Sequence, residues 1–153
     1  MRLKELPLYS WRAVASIPAF ADEGPVTVMD AHCGLCARGA KWIARADRAA
    51  EFRIVPMQSE LGRALFVHFG LEPDDPASWL FLENGRAYTS LDGMIRAGWR
   101  MGGLSRALII LRVMPRALQD WLYGYIARNR YRVMGRADLC NMPDPAVQSR
   151  LLQ

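Results

Sequence analysis

Cysteine is scarce in this 153-residue chain, and its count is odd. The three cysteines, Cys33, Cys36 and Cys140, cannot all pair within one molecule, whereas a disulfide-stapled secreted scaffold carries a larger, even set. The count favours a reducing compartment, the cytoplasm, with a functional dithiol and one thiol left over. Histidine is scarcer still, with only His32 and His68. There is no second CxxC, and a structural zinc site needs about four ligands, so His32, His68 and Cys140 alone would have to complete the set begun by Cys33 and Cys36. No metal and no cofactor is expected. A long unbroken apolar run is also missing. Residues 104–126, the most apolar late stretch, contain Arg106, Arg112, Arg116, Asp120 and a central Pro115, all costly in hydrocarbon, and do not read as a transmembrane span. The start of the chain makes a poor export signal. Arg2 and Lys4 precede an apolar stretch ending in Ala19-Phe20-Ala21, but Glu5 and Arg12 interrupt it and Pro7 and Pro18 break its continuity. No nucleic-acid motif and no basic-aromatic platform is present, so nucleic acid is not an expected partner.

What is present is the composition of a folded globular protein, 52% hydrophobic and 23% charged. The length suits one domain with a real core. The formal charge of +5 is unevenly spread: residues 1–95 carry ten Lys or Arg against twelve Asp or Glu, and residues 96–153 carry ten Arg against three acids. An anionic partner would be drawn to the last third of the chain.

The informative stretch is residues 26–38, VTVMDAHCGLCAR. A β-rich run delivers Asp30, and Cys33-Gly34-Leu35-Cys36 then opens a helical pattern. Backbone N–H groups at a helix start are unpaired and the helix dipole is positive there, so a thiolate is stabilised and its pKa falls. Cys33, nearest that field, is the expected nucleophile. Cys36 lies one helical turn along, close enough to close a small disulfide ring or to resolve a mixed disulfide. Gly34, without a Cβ, eases the tight start of the helix, Leu35 completes the pair between the cysteines, and Arg38 and Lys41 add positive charge. Asp30 has two readings, proton relay for the thiols or a cap on loop N–H groups; its charge would oppose the helix dipole at Cys33. His32 is either a cation that favours the thiolate or an exposed loop residue. The chemistry requires both sulfurs to face each other within reach of solvent.

The elements alternate along the chain. Residues 26–30 read as a strand, 34–48 as a helix with Leu35, Gly39, Trp42, Ile43 and Ala46 on its apolar face, and 52–56 as a second buried strand. Ser59 is an N-cap for a helix bearing Leu61, Leu65, Phe66 and Phe69 that stops at Gly70, with His68 in a structural role. Residues 79–83 and 86–89 flank Asn84-Gly85, a strong hairpin signal, and a helix over 91–101 follows. Residues 104–126 read as two amphipathic helices meeting at Pro115. The order is α/β, a thioredoxin-like mixed sheet flanked by helices with an added C-terminal helical segment. Residues 1–24 form a leading segment, 25–102 the thioredoxin-like domain, and 103–153 a helical extension packed on it.

Asp30-Ala31-His32-Cys33-Gly34-Leu35-Cys36 fits DxxCxxC, and the chain resembles the DCC family of predicted thiol-disulfide oxidoreductases. Residues 57–60, 82–86 and the run ARNRYR over 127–132, followed by Gly135-Arg136 and Cys140, agree with that family from about residue 26 to the C-terminus. The resemblance implies an enzyme acting on a protein disulfide or a small disulfide. Cys33, Cys36 and Asp30 are then its catalytic residues, with His32, Gly34 and Leu35 auxiliary, and its partner is a disulfide-bearing protein or a small thiol. It also supports a third redox thiol at Cys140, whose plain reading is a quiet half-buried side chain. Arg128, Arg130, Arg132 and Arg136 read either as an anion site or as a solvated face paired with Asp120 and Asp138. Peripheral contact of the arginine-flanked apolar stretch with an anionic membrane is a further reading. One departure from thioredoxin concerns the proline that faces the dithiol there: Pro76 lies one residue early for that place, with Ala77 and Ser78 following it. A binding module whose cysteines hold a metal or are vestigial is the competing class.

Overall fold

A computed structural model describes residues 3–75 and 79–152. Four short strands, β1 (Val26–Met29), β2 (Arg53–Pro56), β3 (Leu80–Glu83) and β4 (Arg86–Tyr88), form one sheet in the order β2-β1-β3-β4. β1 and β2 are parallel, with Val26 opposite Arg53, and the other two pairings are antiparallel. Helices α1 (Gly34–Ala46), α2 (Glu60–Phe69) and α3 (Ser90–Met101) alternate with the strands in the βαβαββα order of a thioredoxin-like fold. The hairpin turn is the expected one: Asn84 and Gly85 adopt φ of 50° and 75°, the left-handed pair a two-residue turn requires.

Side-chain alternation along the strands builds a core on each face of the sheet. Val26, Val28, Val55, Leu80 and Leu82 meet α2 through Leu61, Leu65, Phe66 and Phe69. Met29, Ile54 and Phe81 point the other way, toward Ala37, Ala40 and Ile43 of α1. α2 begins where Ser59 Oγ accepts from the Gly62 N–H at 3.1 Å and ends at Gly70 with φ 75°. The leading segment lies on the first face. Trp11 and Ile17 enter that core, the Lys4 N–H bonds the Phe69 carbonyl at 3.0 Å, and Ser10 Oγ meets His68 Nε2 at 2.8 Å. His68 is thus an anchor for this segment, and burial beside Lys4 lowers its pKa.

Two expectations are corrected. The buried stripe of α1 is Ala37, Ala40 and Ile43, and Trp42 stands half exposed with its indole N–H on Ser105 Oγ at 2.9 Å. Small alanines let α1 sit close to the sheet, which leaves the bulky indole at the rim. Residues 103–113 are not an α-helix but a 3-10 segment, Gly103–Val113, and α4 runs from Arg116 to Met134 with Pro115 as its N-cap. Pro115 ends one helix and starts the next as expected, but α4 extends through the whole arginine run.

The end of the chain returns to the sheet. After α5 (Pro145–Gln148), the Ile54 N–H bonds the Arg150 carbonyl and the Leu152 N–H bonds the Ile54 carbonyl, both at 2.8 Å, so the last residues pair with the free edge of β2. Arg150, itself buried, donates to the Asp47 carboxylate at 3.4 Å and to the Asp47 carbonyl at 2.9 Å. Asp47 also accepts from the Phe52 N–H at 2.9 Å, which closes the turn between α1 and β2. Among the described residues no helix is long and apolar enough to cross a membrane.

Candidate active site

β1 ends at Met29 and hands Asp30 to the loop that starts α1, with Cys33 as the N-cap residue in extended conformation (φ −96°, ψ 125°). All three thiols are free. The two thiols of the CxxC shift each other's titration in opposite directions. A hydrogen bond from Cys36 is the main influence that pulls the Cys33 thiol down to about 6; burial opposes it, and the N–H groups of Cys36 and Leu35 and the charge of Arg130 assist. The same hydrogen bond pushes the Cys36 thiol up, and burial adds to the rise. The pair is thus pushed in opposite directions, Cys33 down and Cys36 up.

Access differs from the expectation. Cys33 has 0% of its surface exposed, and Cys36 is the partly exposed member of the pair. Residues 135–139, just after α4, lie along the loop that carries Cys33. Gly34 N–H bonds the Gly135 carbonyl at 3.1 Å, Cys33 bridges Arg136, and the N–H groups of Ala137 and Leu139 bond the His32 and Ala31 carbonyls at 3.1 and 2.8 Å. The reason for a glycine at position 34 also differs. Its φ is not positive; instead, a Cβ there would lie 2.2 Å from the Met134 carbonyl oxygen. Gly34 is the contact that lets the end of α4 approach the start of α1 this closely.

Asp30 is 1% exposed and its carboxylate is surrounded by donors. Oδ1 accepts from the His32 N–H at 2.9 Å and Gln58 Nε2 at 2.7 Å; Oδ2 accepts from Arg130 at 2.7 Å and from the Tyr131 hydroxyl. The bond to the His32 N–H is a capping contact, one of the two readings of Asp30. Arg130, 5% exposed, uses its other terminal nitrogen to reach Cys36 Sγ at 3.7 Å, so one guanidinium touches both the carboxylate and the thiol. Its Nε has no partner among the described residues. Nearby, burial pushes the Tyr123 hydroxyl of α4 upward in pKa, against the charge of Arg130.

The four arginines of the late run thus separate. Arg128, Arg132 and Arg136 are exposed, whereas Arg130 is buried and paired with Asp30 rather than with Asp120 or Asp138. Asp138 turns back on Asn141. Arg38 reaches Met134 Sδ at 3.3 Å, so the cation acting on the dithiol is Arg130. His32 is exposed and Leu35 half-buried. Cys140 is half-buried, and its thiol is pushed up by burial and by Asp138, the opposite of Cys33. Pro76, the candidate for the proline facing the dithiol, lies outside the described residues. A cleft of about 440 Å3 opens beside Asp30, Gln58 and Tyr131. Arg130, Tyr131 and Gln58 are site residues whose partners sequence reasoning did not identify. Their only signal was membership in stretches that matched a family pattern.

Residues 27–136 match the model of the DCC1-like thiol-disulfide oxidoreductases, a span that holds Asp30, both cysteines, Arg130 and Tyr131. The chain is 30% identical over 127 residues to the uncharacterized protein YuxK of Bacillus subtilis, covering 83% of this chain and 93% of YuxK. It is 31% identical over 122 residues to a chloroplastic DCC family protein of Arabidopsis thaliana, covering 79% of this chain and 71% of that one. No solved structure matches it significantly. A matched span that holds the paired thiols and the ion pair behind them, together with these two relatives, supports a general redox role, and the chain belongs to the DCC1-like thiol-disulfide oxidoreductase family.

Proposed function

We propose that the chain catalyses thiol-disulfide exchange with Cys33 as nucleophile and Cys36 as resolving thiol. The observation that carries this reading is the pair of free thiols at the start of α1, shifted in opposite directions, Cys33 down to about 6 and Cys36 up. The Cys33 thiolate attacks one sulfur of a substrate disulfide, forms a mixed disulfide and releases the first substrate thiolate, which takes a proton from water. Cys36 then loses its proton and attacks Cys33 Sγ. The Cys33–Cys36 disulfide forms, the second substrate thiolate leaves and is protonated, and two electrons have passed to the substrate. Run backwards, the same steps oxidise a dithiol.

Arg130 supports the second step, because a cation 3.7 Å from Cys36 Sγ favours the thiolate that must form there. Asp30 is a positioning residue in this scheme. With four donors on its two oxygens it orients Arg130 and the loop before Cys33. The enclosure of Cys33 requires residues 134–137 to part from Gly34 before a substrate disulfide can align with its sulfur. A reducing compartment such as the cytoplasm suits an enzyme whose dithiol must be regenerated.

The test is a redox titration of the purified protein against glutathione, with alkylation and mass analysis of each cysteine. A reversible Cys33–Cys36 disulfide is expected, and insulin reduction should disappear in Cys33→Ser. A potential near about −270 mV would mark a reductase and one near about −120 mV an oxidant. Exchange indistinguishable from the Cys33→Ser control would leave a vestigial dithiol, and stoichiometric zinc in the purified protein would favour the metal-binding reading.

A further inference from the structure

A 3-10 helix has three residues per turn, so residues three apart lie above one another and the segment Gly103–Val113 divides into three stripes. Ser105, Leu108 and Leu111 face the domain: Ser105 is buried, and the Ser105 carbonyl and Leu108 side chain lie so close to Gly98 of α3 that a Cβ there would meet both at 2.7 Å. Arg106 and Arg112 flank this contact. Arg106 lies over the Trp99 ring at 5.1 Å and Arg112 pairs with Asp92 at 3.4 Å. The third stripe is Leu104, Ala107, Ile110 and Val113, and it faces solvent. Leu104 is 82%, Ile110 68% and Val113 86% exposed.

The start of α4 continues this pattern at α-helical spacing. Leu118, Trp121 and Tyr125 share one face; Trp121 is 61% exposed, and its ring stacks on Tyr125 at 5.8 Å. Across residues 103–128 the charged side chains are Arg106, Arg112, Arg116 and Arg128 against Asp120 alone. Solvent-exposed aliphatic side chains in this number are uncommon on a free surface, and here they are bordered by cations.

We propose that this face, the exposed stripe of the 3-10 segment and the start of α4, lies on an anionic phospholipid surface. Leu104, Ile110 and Val113 enter the boundary of the acyl chains, Trp121 and Tyr125 sit at headgroup level, and the exposed Arg116 and Arg128 meet lipid phosphates, while Arg112 stays paired with Asp92 and Arg106 over Trp99. Charge decides between occupants. Two copies joined through this face would bring like-charged arginines together, whereas an anionic bilayer complements them. The surface is separate from the dithiol, and its role does not depend on the exchange reaction proposed above.

The experiment is co-sedimentation of the full chain with vesicles of phosphatidylcholine alone and with vesicles containing a quarter phosphatidylglycerol. Binding to the anionic vesicles at least about tenfold stronger than to the neutral ones is expected, and it should weaken at high salt. The double variant Ile110→Glu/Val113→Glu should lose binding while keeping the far-ultraviolet circular dichroism and melting transition of the parent, since both side chains are exposed. Arg116→Glu should weaken binding without abolishing it. The proposal fails if the parent stays in the supernatant, if it binds both vesicles equally, or if the folded double variant binds like the parent. It also fails if ultracentrifugation without lipid shows a dimer that the double variant disrupts, because a second copy would then be the occupant.

Discussion

Asp30 and Arg130 stand 100 positions apart in the chain and form a buried ion pair of 2.7 Å. Taking two charges out of water is costly, and the pair is retained because each partner satisfies the other and further donors complete the carboxylate. Removing one side leaves a buried charge alone. Asp30→Ala and Arg130→Ala should each cost about 3–5 kcal/mol, and a double replacement by well-packed apolar residues should cost much less than the sum. Chemical denaturation of the four proteins of that cycle measures the coupling, and additive losses would mean that the pair is not a unit.

The pH dependence of the dithiol follows from the opposite shifts of its two members. Below a pH of about 6 reduction of the disulfide takes up two protons, because both thiols are then protonated. Above it Cys33 remains a thiolate and only one proton is taken up. The reduction potential should therefore fall by about 59 mV per pH unit below pH 6 and by about 30 mV above it. A single slope of the larger value up to pH 8 would mean that Cys33 titrates near its ordinary range. Cys36→Ala removes the largest cause of the depression, so the alkylation midpoint of Cys33 should move upward, and Arg130→Gln should move it the same way by less.

Gly34 controls the cover over Cys33. In Gly34→Ala the new methyl meets the Met134 carbonyl at 2.2 Å, so the backbone of residues 134–136 must shift. Stability should drop by about 1–3 kcal/mol, as for other overpacked sites. Iodoacetamide should reach Cys33 faster than in the parent despite that loss. An unchanged or slower alkylation rate, read by mass analysis at a pH where Cys33 is ionised, would show that residues 134–137 do not limit access.

Arg150 closes the fold from its other end. Arg150→Ala deletes the charge opposite buried Asp47 and the bond to the Asp47 carbonyl, and should cost about 3 kcal/mol in thermal or denaturant unfolding. Loss of the tail also bares the edge of β2 at Ile54, so a variant ending before Arg150 should aggregate more readily than Arg150→Ala. Equal light scattering from the two would mean that the tail adds no edge protection beyond the ion pair.

The succession of strands and helices along the chain, the Asn84-Gly85 turn and the capped helix from Ser59 were legible because each rests on a local signal: alternation, a left-handed turn pair, a hydroxyl at a helix start. The placement of Asp30, Cys33 and Cys36 was legible for the same reason, since a short loop joins β1 to α1. Arg130 was not. Four arginines two to four residues apart are alike as a pattern, and only the rotation of α4 against α1 selects one of them for the interior. The exposure of Trp42 was misread for a related reason, because helical periodicity identifies faces but not which one a neighbouring element claims. The enclosure of Cys33 depends on residues 134–137, about one hundred positions away, and no window around the CxxC contains that information.

The distance along the chain between the dithiol and its cover has a consequence at the ribosome. Cys33 and Cys36 are translated roughly a hundred residues before Arg136, and at about 5–20 residues per second the interval is on the order of 5–20 s. For that time the nascent thiols have neither the backbone of residues 134–137 over them nor the guanidinium of Arg130 beside them. Whatever oxidant or thiol is at hand meets the dithiol first in this unfinished form, before the last third of the chain exists.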